Sequence, residues 1–181
     1  MNEQKKQAWI EKGYGLVAEK GLENLTVNSI CRAMAKSKSS FYHYFGEIEL
    51  FRDELMAYHV ARAHDFALKV KSCENIDPDL ISVFMDYQTD VFFYKQLCIY
   101  RKPSTFEKYK QKVFELYEHA ALDKWADYFE LNNRKIFVGK FNKFISEHFL
   151  MSISLDTYTQ DWIKNYLIEL LEMVQQMKKG S

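Results

Sequence analysis

The chain has 181 residues, with 25 Lys or Arg set against 25 Asp or Glu, so its formal net charge is zero. That balance excludes a uniformly basic nucleic-acid coat, while a hydrophobic share of 48% can bury a sizeable core in one large domain or in a small domain joined to a larger one. Fourteen Phe and twelve Tyr make that core aromatic, and only two Pro and six Gly, with long apolar periodicities, predict an all-α fold. The charge is unevenly spread. Residues 1–45 carry seven Lys or Arg against four Glu, net +3, which leaves −3 for the rest and confines any phosphate contact to a basic head.

Cys31, Cys73 and Cys98 are widely spaced and form no zinc-like spacing, so reduced, buried thiols in a cytoplasmic protein are expected. The amino end is charged from residue 3 and has no apolar stretch of a secretory signal, and no run of about 18 apolar residues predicts a membrane span.

In chain order, a first helix is predicted from about Glu3 to Lys20, with Trp9, Ile10, Tyr14 and Val17 on its apolar side and Gly21 as its stop. Gly13 and Gly15 inside it each cost roughly 1 kcal/mol against Ala, which close packing on a neighbour would explain. Leu22 to Leu25 is a short connector. Val27, Ile30, Cys31 and Met34 then mark one face of a short helix capped by Thr26. A second short helix runs from a Ser37 cap through Phe41 and Phe45 and ends at Gly46. Two short helices so tightly linked form a helix-turn-helix, whose second member enters the DNA major groove. Lys38, Ser39, Ser40, Tyr42 and His43 on that member are hydrogen-bond donors suited to phosphates and base edges. Lys38 suits a phosphate or a guanine, Tyr42 a phosphate or packing, and His43 a base, a stack or solvent.

From Glu47 to about Ser72, Phe51, Leu55, Tyr58, Arg62, Phe66 and Val70 predict one helix of about 25 residues, roughly 37 Å long, enough to join a head to a body. A break follows, with Asp77 as cap and Pro78 opening a helix to about Leu97. Arg101–Ser104 is a second break. Helices are predicted at about 104–131, 134–152 and 157–178, with Asn132–Asn133 and Ser154–Thr157 as turns. The domain boundary is expected after Gly46: residues 1–46 as head and 47–181 as body.

In the last helix Ile163, Leu167, Leu170, Val174 and Met177 follow heptad spacing, flanked by Trp162, Tyr166 and Leu171. The helix before it carries Phe137, Phe141, Phe144, Ile145 and Phe149. Such wide apolar faces serve a monomer core or a second copy; Phe137, Phe141, Phe144, Ile163, Leu167, Leu170 and Val174 are the candidate dimer residues. In the body, Tyr58, His59, Arg62, Phe66, Phe84, Tyr87, Gln88, Phe92, Tyr109, Tyr117 and Trp125 are candidates for a small-molecule site, aromatic walls with few polar groups, in which Arg62 or His59 would meet an anionic group. The same residues also describe an ordinary core. Asp86 and Asp90, four apart, read as solvated.

No His pair has metalloprotease spacing, and no phosphate loop, nucleophile elbow or paired-carboxylate constellation stands out. No catalytic residue, metal or cofactor is therefore expected, and the chain is not read as an enzyme.

Ala18 to Phe51 resembles the DNA-binding domain of the TetR family of bacterial transcriptional regulators. The landmarks are AEKG (Ala18–Gly21), LTV (Leu25–Val27), Ile30, SKSSFYHYF (Ser37–Phe45) and Gly46. The resemblance implies a three-helix head, a long connecting helix, and a helical ligand-binding and dimerisation body. It also implies a homodimer on palindromic double-stranded operator DNA, with repression relieved by a small molecule. By position, Thr26 would cap the second helix and touch a phosphate. Ser37, Lys38, Ser39 and Ser40 would line the start of the recognition helix. Tyr42 and His43 would reach phosphate or base edges, and Phe41 and Phe45 would be core. The usual turn Gly is here Ala35, where a left-handed backbone would cost more. The next position, usually apolar, is Lys36, which would add a phosphate contact. Glu47 and Ile48 stand where a capping residue and a Lys are usual, which removes one phosphate contact. The rival readings are an all-α small-molecule-binding protein or enzyme without a DNA role, and a protein-interaction module.

Overall fold

A computed structural model describes residues 2–100, 106–131 and 135–179, without the side chains of Asn2 and residues 135–137. The breaks expected at Arg101–Ser104 and Asn132–Asn133, and the side chain of Phe137, lie outside the described residues. Helices run α1 Asn2–Lys20, α2 Val27–Met34, α3 Lys38–Phe45, α4 Ile48–Ser72, α5 Ile81–Asp86, α6 Gln88–Ile99, α7 Glu107–Tyr128, α8 Lys135–Ser152 and α9 Gln160–Lys179. No strand occurs among the described residues, so the fold is all-α. The chain divides into two compact units, Met1–Ala63 with Thr89–Val113, and His64–Gln88 with Phe114–Ser181.

In the first unit, α1, α2, α3 and the start of α4 close on a ring cluster. Trp9 meets Phe41 and Phe45 at ring-centroid distances of 5.8 and 6.4 Å, and Phe51 meets the same two at 5.4 and 4.6 Å. Leu22, Leu25, Ile30 and Leu55 fill the spaces between, all buried. Gly13 now has a physical reason. A Cβ there would stand 2.5 Å from Phe51 Cζ, so only hydrogen lets α1 and α4 approach this closely. Gly15 has none: nothing lies within 4 Å of the same position. Gly21 and Gly46 stop α1 and α3 in positive-φ conformations, at 87° and 69°.

The same unit contains a buried polar chain. The Tyr14 hydroxyl of α1 donates to Asp90 Oδ1 of α6 at 2.9 Å and lies 2.7 Å from His59 Nδ1 of α4. Arg62, one turn beyond His59, donates to both Asp90 oxygens. The reading of Asp90 as solvated is therefore corrected. Asp86, four residues earlier, is exposed at the end of α5, whereas Asp90 is on α6 and buried. Burial, reinforced by Asp90, holds the Tyr14 phenol well above its ordinary pKa. Burial pulls His59 down to about 4, so the ring is neutral near pH 7, and its Nε2 has no hydrogen-bond partner among the described residues.

The second unit packs α5, the end of α4, most of α7, and α8 and α9. The single helix expected from Pro78 to Leu97 is two. Tyr87 leaves helical backbone values at φ −104° and ψ 24°, a break that neither Gly nor Pro announces. The expected Asp77 cap is also corrected. The carboxylate that satisfies backbone donors is that of Asp79, which accepts from the N–H groups of Glu74 and Asn75 at 3.0 and 2.9 Å. Asp77 has extended backbone and pairs with Lys164 at 2.6 Å. The last helix starts three residues later than expected, and the Thr159 hydroxyl accepts from the Trp162 N–H at 3.1 Å in its first turn. Cys31 and Cys73 are buried as expected, but Cys98 is only half-buried.

Four of the five heptad residues of α9 are buried, and Met177 is exposed. Ile163, Leu167, Leu170 and Val174 are all buried within the single chain. On α8, Phe141 is half-buried and packs on Phe129 at 5.5 Å, whereas Phe144 is 64% exposed. Met151, two turns on from Phe144, is also exposed, as are Ile168 and Met173 of α9.

Candidate nucleic-acid interface and effector region

The turn between α2 and α3 aims the candidate DNA face. Thr26 opens α2 with a reciprocal cap: its hydroxyl accepts from the Ser29 N–H at 3.1 Å, and its own N–H donates to the Ser29 hydroxyl at 2.9 Å. Ala35 ends α2 in the left-handed region, at φ 51° and ψ 44°, as the missing turn Gly led us to expect. The Ala35 and Lys36 N–H groups close that end on the carbonyls of Arg32 and Cys31. Ser37 then caps α3, its hydroxyl accepting from the Ser40 N–H at 3.2 Å.

One face of α3 is anchored and the other is open. Phe41 and Phe45 are buried in the ring cluster, while Lys36, Ser37, Lys38, Ser39, Tyr42 and His43 are exposed and Ser40 is half-buried. Thr26 is exposed at the start of α2. Lys36 and Lys38 make no hydrogen bond or ion pair among the described residues, so both ammonium groups are available to an outside anion. Rigid aromatic backing with unpaired cations and hydroxyls in front is what phosphate and base-edge contact requires.

Two supporting residues had escaped the sequence reading. Arg52 of α4 donates to the Leu25 carbonyl at 3.2 Å and so fixes the approach to α2. Lys6 of α1 pairs with Glu54 of α4 at 2.6 Å. The sequence signal for both was weak, because each sits on a polar face and its partner lies 27 or 48 residues away.

Residues 10–54 match a family described as bacterial regulatory proteins, tetR family. The chain carries a TetR-family DNA-binding head. The match runs past Gly46 into the first turns of α4 and so takes in Phe51, the ring that closes the head core. The TetR assignment makes this a DNA-binding transcription regulator. No curated protein and no solved structure matches the chain. No described helix is long and apolar enough to cross a membrane, and no group of three or more potential metal-ligating side chains occurs among the described residues.

The expected effector residues fall into both compact units. Tyr58, His59, Arg62, Phe92 and Tyr109 belong to the first. There His59 and Arg62 are engaged with Tyr14 and Asp90, so the carboxylate that Arg62 meets is the chain's own. Phe66, Phe84, Tyr87, Gln88, Tyr117 and Trp125 belong to the second. There Phe66 meets Phe84, Tyr87 and Tyr117 at 5.6, 5.3 and 5.9 Å, and the Trp125 indole N–H donates to the Tyr117 oxygen at 2.9 Å. Half-buried Phe149 of α8, absent from the expected set, extends this cluster through Phe84 at 5.6 Å.

Proposed function

We propose that this chain is a cytoplasmic, effector-responsive repressor that binds a palindromic operator as a homodimer. The reading rests on the open face of α3. Lys36, Ser37, Lys38, Ser39, Ser40, Tyr42 and His43 contact phosphates and base edges, Thr26 adds a phosphate contact beside its capping role, and Phe41 and Phe45 hold the helix from behind. Two such helices would sit about 34–36 Å apart in successive major grooves. In this reading residues 1–46 supply the DNA contacts and residues 47–181 the effector and dimer functions, and no catalytic role is assigned.

The second copy is read against the outward faces of α8 and α9. Phe144, Met151, Ile168 and Met173 are large apolar residues left in solvent. Lys140 and Lys143 are exposed on α8, and Glu169 and Glu172 on α9, so α8 of one copy complements α9 of the next. The effector acts through α4, which runs unbroken from the head core to Phe66, and biases DNA-competent against incompetent states.

The test is a gel-shift titration with the DNA upstream of the chain's own gene at two salt concentrations. A discrete complex that weakens steeply with salt and carries two chains per duplex is expected. Failure to retain any double-stranded probe at low salt overturns the reading.

A further inference from the structure

The second helix of a helix-turn-helix lies in the major groove, so the direction in which each α3 side chain leaves the helix decides what it can touch. Successive residues turn by about 100°. Phe41 and Phe45 fix the inward direction, since both are buried against Trp9 and Phe51. His43 then points about 180° away from them, towards the floor of the groove, and Ser39 comes next at about 140°. Both are exposed. Tyr42 and Tyr44 stand about 80° from the inward direction, on opposite flanks, where the walls of the groove carry the phosphates. Lys38 leaves nearer the inward side. Burial raises the pKa of the Cys31 thiol of α2 and the Lys38 ammonium opposes that rise, so this charge lies back towards α2 and not ahead of the helix.

The His43 ring is also held. It meets Tyr44 edge-on, at 5.3 Å between ring centroids and 72° between planes, and Tyr44 in turn packs on Trp9 at 6.5 Å and on Phe45 at 6.2 Å. Trp9 and Phe45 belong to the buried core of the head, so an exposed imidazole is backed by a half-buried ring and then by fixed ones. Neither His43 nitrogen makes a hydrogen bond among the described residues. An imidazole presents at least one N–H donor whatever its charge. In the major groove guanine offers two acceptors, N7 and O6, whereas adenine sets an N6 donor beside its N7 and cytosine offers only a donor.

From these observations we infer that His43 is the specificity-determining residue of α3: its ring N–H donates to guanine N7 on the groove floor, and Tyr44 is the positioning residue that holds the ring. Tyr42, on one flank, grips the backbone and adds affinity for any sequence. The inference rests on the DNA-binding reading above and gives the operator one required guanine in each half-site.

The operator is first selected from a pool of random duplexes with the full chain. Each G·C pair of one half-site is then changed to A·T in turn and titrated by gel shift. At one pair the wild type is expected to lose about tenfold in affinity, within the usual cost of a mismatch, and His43→Ala less than about twofold. The slope of log affinity against log salt should be unchanged in His43→Ala, whereas Tyr42→Phe should weaken binding to every duplex alike. Tyr44→Leu should lower the discrimination at the same pair while keeping its grip on non-cognate duplex, which reports that it is folded, and Tyr44→Phe should restore the discrimination. Equal discrimination by wild type and His43→Ala at every pair overturns the inference. So does a salt slope lowered by His43→Ala with the ranking of sequences intact, which would make His43 a phosphate contact. Loss of non-cognate binding in Tyr44→Leu would place Tyr44 in the head core and overturn its positioning role. A selection that yields no preferred half-site loses this inference alone, whereas a chain that retains no duplex at low salt loses the regulator reading itself.

Discussion

Arg62 grips Asp90 with two parallel hydrogen bonds, Nε to Oδ1 at 2.9 Å and Nη2 to Oδ2 at 2.6 Å, and joins α4 to α6 by a fork that Lys could not reproduce. The carboxylate is 8% exposed and the guanidinium side chain 34%, so the acid depends on its base more than the reverse. Arg62→Met leaves Asp90 with only the Tyr14 hydroxyl. We expect a loss of about 2–3 kcal/mol, below the range for a fully enclosed pair because water reaches Arg62. Urea unfolding measures it. Recovery of most of the loss in the Arg62→Met/Asp90→Leu double variant is the expected second result, and no loss in the single variant would refute the argument.

His59 gives the chain a dependence on pH. Its folded pKa, about 4, lies below the ordinary value of 6.5, so the unfolded chain takes up a proton first as pH falls. The stability due to neutral His59 is complete above pH 6.5 and is lost progressively towards pH 4, by on the order of 3 kcal/mol in all. The difference in unfolding free energy between wild type and His59→Gln, followed from pH 7.5 to 4.5, should shrink as pH falls. A constant difference would show that His59 titrates normally in the fold.

Gly13 and Gly15 should respond in opposite ways to the same substitution. Gly13→Ala drives a methyl group into the Phe51 ring and should cost about 1–3 kcal/mol. Gly15→Ala meets open space and should stabilise by up to about 1 kcal/mol through helix propensity. Thermal unfolding of the two variants side by side decides this; shifts of the same sign would contradict the packing.

Ala35 holds a left-handed backbone that costs a Cβ-bearing residue about 1–2 kcal/mol. Ala35→Gly removes that strain but gives the unfolded chain more freedom, worth about 0.4–1 kcal/mol in the other direction. A net gain of roughly 0.5–1 kcal/mol is expected. A lowered melting temperature would mean that the turn is not left-handed in solution.

Lys38 tests the DNA face. Lys38→Ala should weaken operator binding and reduce the slope of log affinity against log salt by about one contact per protomer. An unchanged slope and affinity would remove Lys38 from the interface, while Tyr42→Phe, which keeps the ring and loses the hydroxyl, asks the same of Tyr42.

What the sequence made legible is local. The Thr26 and Ser37 caps, the Gly21 and Gly46 stops and the left-handed Ala35 all lie within a few residues of what they control. Asp90 was opaque for the opposite reason: the partners that bury it are 28 and 76 positions away, and its helical spacing from Asp86 pointed to a shared solvent face that the break at Tyr87 abolishes. The α9 stripe shows a different limit. Heptad spacing identifies an apolar face but not what covers it, and Leu167 and Val174 are covered within the single chain. In the candidate effector set, the ring types were readable, yet which rings meet depends on the ends of α4, α5, α7 and α8, and Phe149 carried no local mark.

The nesting of Gly13 against Phe51 also bears on how the molecule can be dissected. A fragment cut at Gly46 would keep α1, α2, α3 and the recognition residues, yet it would lose Phe51 and Leu55 and leave a hole against α1 and two unroofed rings. The smallest piece able to fold and to grip a duplex by itself therefore has to keep the first two turns of the long helix.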